Sequence, residues 1–196
     1  RITHATPAAV YGHAFSRDWE TDTDMTEEGR SQGCIDLATQ LIHYDKGDGF
    51  DVILGGGKRS FLPKEEDGGR REDRKNLIST WNEKSNSHVY VKTAAELRAL
   101  EPEVKQHVLG LFNDSHLSFE TSRDNAEEPG LTELATFAVK NLEARNTGYF
   151  LMIESGRIDH AHHASNAFRA LSETQALARA VGAIEDRKRG VEVERG

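Results

Sequence analysis

What the sequence has little of narrows it first. It carries one cysteine, Cys34, so no disulfide can close within the chain, and cysteine usage says little about its redox compartment. No run approaches the roughly 18 consecutive apolar residues of a membrane-crossing helix, so no segment is expected to span a bilayer. Basic residues are the minority: 25 Lys plus Arg stand against 33 Asp plus Glu, a formal net charge of -8. That balance argues against nucleic acid as the main partner, although a local basic pocket can persist inside an acidic protein. Aromatic content is only 7% and hydrophobic content 36%, low but compatible with a core. The opening Arg1-Ile2-Thr3-His4 has neither the charged start nor the apolar stretch of a secretory leader, and it reads as if it begins in mid-structure. A length of 196 residues fits one large domain or part of a bigger one.

What is present alternates between helix and strand. Pro7 to Phe15 predicts a helix, with Thr6 as its cap and Pro7 in its first turn. Thr26 to Tyr44 predicts a longer one, in which Cys34, Leu37, Ala38, Leu41 and Ile42 form a single apolar stripe. Asp51-Val52-Ile53-Leu54 reads as a short buried strand ended by Gly55-Gly56-Gly57. The charged stretch from Lys64 to Lys75 has mixed signs and reads as a solvated excursion. A helix is predicted from Asn76 to Trp81 and a strand from His88 to Val91. Thr93 and Glu96 form a capping box for a helix through Leu100. Val108 to Phe112 reads as a strand, Asp114 to Glu128 as a polar loop, and Leu131 to Leu142 as an amphipathic helix. Tyr149 to Ile153 then has the length and residue types of a buried strand. This order predicts an α/β fold, an α/β/α sandwich around a mostly parallel sheet, with ligands at the carboxyl ends of its strands.

The segment Glu154 to His163, E-S-G-R-I-D-H-A-H-H, carries the most chemistry. Four ionisable side chains crowd its end, a costly arrangement unless something compensates their charge. If Asp159 to His163 opens a helix, both residues share one face and can reach one ion. Asp and His are zinc donors, whereas a carboxylate such as Glu154 and a hydroxyl such as that of Thr6 suit magnesium. Thr6 can equally be a plain helix cap. His4 lies two residues from it, and Arg17, followed by Asp18, offers a planar fork for two phosphoryl oxygens.

Three blocks resemble the alkaline phosphatase family and occur in that family's order. They are H-A-T-P-A-A-V-Y-G-H-A-F-S-R-D-W, D-V-I-L-G-G-G-K-R and F-L-M-I-E-S-G-R-I-D-H-A-H-H, spanning roughly residues 1 to 178. The resemblance implies a secreted or periplasmic homodimer that hydrolyses phosphate monoesters with two zinc ions and one magnesium ion, through a phosphoserine intermediate. It implies Asp159 and His163 as ligands of one zinc, Glu154 and Thr6 as ligands of the magnesium, His4 beside that magnesium, and Arg17 as the phosphate-binding arginine. His160 and His162 match the family's spelling but carry no implied ligation; orienting or packing roles are expected of them.

The resemblance also implies what is missing. The family's nucleophilic serine lies upstream of the matched segment and further zinc ligands lie downstream, so no serine here is nominated and the chain reads as a central fragment, inactive alone. Residues 1–185 correspond to the central part of the domain, and the charged tail 186–196 matches nothing in the pattern. Some animal relatives bind calcium near the positions of Phe112, Asn113 and Glu128; here Asn113 replaces an acid and Glu128 an aspartate, which weakens that site. Asn113-Asp114-Ser115 spells a glycosylation acceptor. Cys34 matches a cysteine paired upstream in some relatives, and is expected here as a small buried residue on its helix. A related sulfatase or phosphomutase, and a metal- or phosphate-binding remnant without turnover, remain the alternatives.

Overall fold

The structure, a computed structural model, describes residues 1–190. Its sheet has three strands: β1 (Val52–Gly55), β2 (His88–Val91) and β3 (His107–Leu111), all parallel, in the order β1-β3-β2. Val52 pairs with Val108, and His88 with His107. Successive side chains of a strand point to opposite faces, and both faces here are apolar. Ile53, Leu109 and Leu111 join one cluster; Leu54, Val108 and Phe112 join another. The first cluster is covered by α1 (Ala5–Tyr11), α3 (Leu37–Ile42) and α4 (Leu77–Glu83), and the second by α5 (Ala94–Ala99) and α6 (Leu131–Glu143). Helices on both faces of a parallel sheet make this the expected α/β fold. The remaining helices are α2 (Glu27–Ser31), α7 (Arg157–His163) and α8 (Ala167–Lys188). Residues 191–196 of the tail lie outside the described residues.

Four local expectations need correction. The first helix begins two residues early, with His4 rather than Thr6 as its cap, and stops at Tyr11, leaving Phe15 exposed. The stretch from Thr26 to Tyr44 is two helices, because Gly33 turns at a φ of +80° and Asp36 starts α3 by accepting the Thr39 N–H at 2.9 Å. That break puts Cys34 on the surface instead of on a buried stripe. Tyr149 to Ile153 is extended but forms no strand, and Phe150 is 81% exposed. A strand needs a neighbour about 4.8 Å away, and among the described residues this segment has none: it lines a cavity opposite the free edge of β1.

The fourth correction concerns the charged excursion. Arg71 is fully buried. Its guanidinium grips both oxygens of Asp36 at 3.0 Å and both of Asp73 at 2.6 and 3.0 Å, and also donates to the Thr39 hydroxyl and the Ser60 carbonyl. Every N–H of the fork is thereby used, which is what allows a buried cation at all. Burial alone pushes the Asp73 carboxyl up, but its bonds to Arg71 and the Lys75 amide outweigh this and hold it below its ordinary value of 3.8.

Replacing Asp36 with Ala leaves Arg71 buried with half its counter-charge and uncaps α3; a loss of about 3–5 kcal/mol in urea unfolding is expected. Asp73 has a depressed folded pKa, so its contribution is present above 3.8 and disappears as pH falls through the lower folded value. Asp73→Asn should flatten that acid limb of a pH-stability curve while leaving its slope near neutrality unchanged.

Candidate active site

The glycines at the end of β1 gather two distant segments. The Gly56 carbonyl accepts the Ile2 N–H at 3.1 Å, and the Asn113 carbonyl accepts from Gly57 and Lys58 at 2.9 and 3.1 Å. A Cβ on Gly56 would meet the Ser115 carbonyl oxygen at 2.2 Å, and Gly57 sits at a φ of +107°. Only glycine permits this approach, and it brings His4 and His116 together. Glu20 reinforces the first segment: nearly buried, it accepts the Thr3 hydroxyl at 2.7 Å and pairs with Arg1 at 2.9 Å.

A cavity of about 780 Å³ runs along the free edge of β1 to this glycine end. Its lining includes the apolar Leu54, Leu134 and Met152. It also includes Arg17, Thr6, His4, Glu154, Asp159 and His160. Five of the six residues singled out for ligand binding therefore line one space, although they come from segments some 150 positions apart in sequence. The sixth, His163, is outside the lining, but its Nε2 stands 3.4 Å from the Asp159 carboxylate, one turn away on α7.

α7 is held from several sides. Arg157, its first residue, stacks over the Phe119 ring at 3.8 Å, with Arg169 of α8 over the same ring at 4.4 Å. Ala161 is fully buried, and its carbonyl accepts the N–H of Asn166, which caps α8. Asp159 and His163 themselves are largely exposed, at 73% and 79% of their side chains. Arg17 is exposed, and Asp18 does not pair with it; among the described residues Arg17 makes no ion pair. Thr6 is exposed in the first turn of α1 and caps nothing.

His4, His116 and His160 form a cluster. The His116 ring meets His160 edge-on at 4.3 Å and His4 at 5.2 Å, and His160 contacts the Arg157 guanidinium at 3.2 Å. Burial, aided by nearby positive charge, lowers the pKa of all three and takes His116 to about 3. All three are thus neutral near neutrality, and His160 meets His116 edge-on; His162 lines the cavity but is exposed. His116 was not legible in the sequence, where it is one histidine in a polar loop; only the glycine junction places it here.

The donors fit part of a metal centre. Asp159 and His163 offer one oxygen and one nitrogen of the kinds zinc accepts, close enough for a shared ion. Among the described residues no group of three or more His, Cys, Asp or Glu side chains is gathered to close a site. Glu154 and Thr6 suit magnesium and face the same cavity from separate segments.

A parallel sheet covered on both faces, with a polar cavity reaching the carboxyl end of an edge strand, defines an α/β protein of the kind that places its ligand site at strand ends. A family model described as alkaline phosphatase matches residues 1–192. The chain is 42% identical over 196 residues to the membrane-bound alkaline phosphatase of Bombyx mori, covering 95% of this chain and 36% of that protein. It is 38% identical to the human tissue-nonspecific isozyme of alkaline phosphatase, covering 93% of this chain and 37% of that one. The crystal structure of Thermus thermophilus alkaline phosphatase superposes with a TM-score of 0.72 at 29% identity, over 95% of this chain and 34% of that chain. The chain belongs to the alkaline phosphatase family. It spans little more than a third of the length of these relatives.

Substituting Ala for Gly56 must push the Ser115 carbonyl away and His116 with it. A stability loss of about 1–3 kcal/mol by thermal unfolding is expected, as for overpacking elsewhere.

Proposed function

We propose that this chain supplies the phosphate-binding arginine and part of the metal-ligand set of a phosphate monoester hydrolase. One observation carries the reading: Asp159, with His163 beside it at 3.4 Å, opens onto the same cavity as Arg17, Glu154 and Thr6. Divalent ions bound there would supply Lewis acidity for phosphoryl transfer. Asp159 and His163 would hold zinc, and Glu154 and Thr6 would hold magnesium. Arg17, free of ion pairs among the described residues, can donate two N–H bonds to phosphoryl oxygens and offset the charge that develops on them. His4 packs on His116 and His160 beside that space and, being neutral, adds no charge that competes for the anion or repels a cation.

In this reading a serine outside these residues attacks the phosphorus and expels the alcohol, and water then hydrolyses the resulting phosphoserine to release phosphate and restore the serine; the whole protein is a secreted or periplasmic homodimer. Membership of the family supports both points. A second reading, a metal- or phosphate-binding segment without turnover, draws on Asp159 and His163 standing as a pair, with no third such side chain gathered beside them among the described residues.

Calorimetry and a chromogenic phosphate monoester separate the two. In the longer protein that carries this segment, replacing Asp159 and His163 with Ala should weaken zinc binding by at least about tenfold, the least that even an outer-shell loss costs, with turnover falling alongside. Arg17→Ala should weaken inorganic phosphate binding by roughly 10- to 100-fold, matching about 1.5–3 kcal/mol for a charged hydrogen-bond donor. The 196-residue chain alone, supplied with zinc and magnesium, should not turn the ester over. Zinc uptake and cleavage that survive the double substitution would end the first reading; a longer protein that binds both ligands yet never cleaves would establish the second.

A further inference from the structure

The loop between β3 and α6 contains the three positions, Phe112, Asn113 and Glu128, at which the resemblance allows a calcium ion. The donors there do not fit one. Glu128 is nearly buried, and both of its oxygens are occupied by the protein itself. Oε1 accepts from the Asn113 side-chain amide at 3.0 Å and from the Ser118 hydroxyl at 2.5 Å, while Oε2 accepts the Ser118 backbone N–H at 2.8 Å. The Asn113 amide cannot simply rotate to offer an oxygen instead. Its Oδ1 accepts the Ser115 N–H at 3.0 Å, which fixes the NH2 group towards Glu128.

The next acidic residue is committed as well. Lys58 lies between Asp114, at 3.1 Å, and Asp67, at 2.8 Å, so an ammonium already bridges these two carboxylates. Calcium needs six to eight oxygens free to converge. Here both oxygens of the one buried carboxylate already accept N–H or O–H donors, and an N–H points where an oxygen would be needed.

We propose that this chain replaces the calcium clamp with an internal one: Asn113 and Ser118 close the loop on Glu128, and its stability is independent of calcium.

Thermal unfolding of the full chain tests this, with calcium chloride added in one arm and with EGTA plus restored zinc in the other. The melting midpoint should be the same in both arms, and terbium should give no sensitised luminescence. Ser118→Ala, which removes one of the three donors, should lower the midpoint equally in both arms. Asn113→Glu should set two carboxylates against each other, lowering the midpoint in EGTA and restoring it with calcium; Asn113→Asp is the substitute if that variant does not fold. A wild-type midpoint raised by calcium, or an acidic variant at Asn113 that ignores it, overturns the proposal.

Discussion

No side chain can stand at Gly56, and the layout of the site follows from that constraint. The sheet ends where β1 runs out of Cβ atoms, so the backbone of residues 1–4 can lie on one side of it and that of residues 113–117 on the other. His4 and His116 are brought into contact by these backbone approaches and not by any affinity between their rings. The cavity exists for a related reason: the free edge of β1 has no neighbouring strand among the described residues, and the space beside it is lined across the gap by the unpaired segment before Glu154.

Two arginines show how burial sorts side chains of identical chemistry. Arg71 is enclosed and donates every N–H to Asp36, Asp73, Thr39 and Ser60, so it fastens the excursion to α3 and has nothing left for a ligand. Arg17 is exposed beside the cavity with no ion pair among the described residues. A saturated guanidinium holds a fold together; an unsaturated one at the rim of a cavity can bind an anion. The carboxylates divide in the same way. Glu20, Asp36 and Glu128 are buried and taken up by internal donors, while Glu154 and Asp159 are exposed, where a cation could reach them.

Much of this was legible in the order of residues. The three strands lie within one residue of where alternation and apolar content put them, and α7 does place Asp159 and His163 on one face, as their spacing required. The misreadings share one physical origin. Tyr149 to Ile153 has strand propensity but no ladder partner, and propensity without a partner makes no strand. The stretch from Thr26 to Tyr44 has a helical stripe, yet Gly33 and the Asp36 cap break it locally. Arg71 sits in a run of charges that composition alone assigns to solvent.

By itself the sequence determined the helical pitch linking Asp159 to His163, the glycine run, the parallel α/β alternation and the donor types available to a cation, since each depends on residues close together along the chain. Tertiary structure alone decided that Arg17, Thr6 and His4 share a cavity with Glu154 and Asp159, that His116 joins them, and that Arg71 is buried. Those outcomes depend on which backbones can approach one another and which side chains are left with partners, and neither is written in local order.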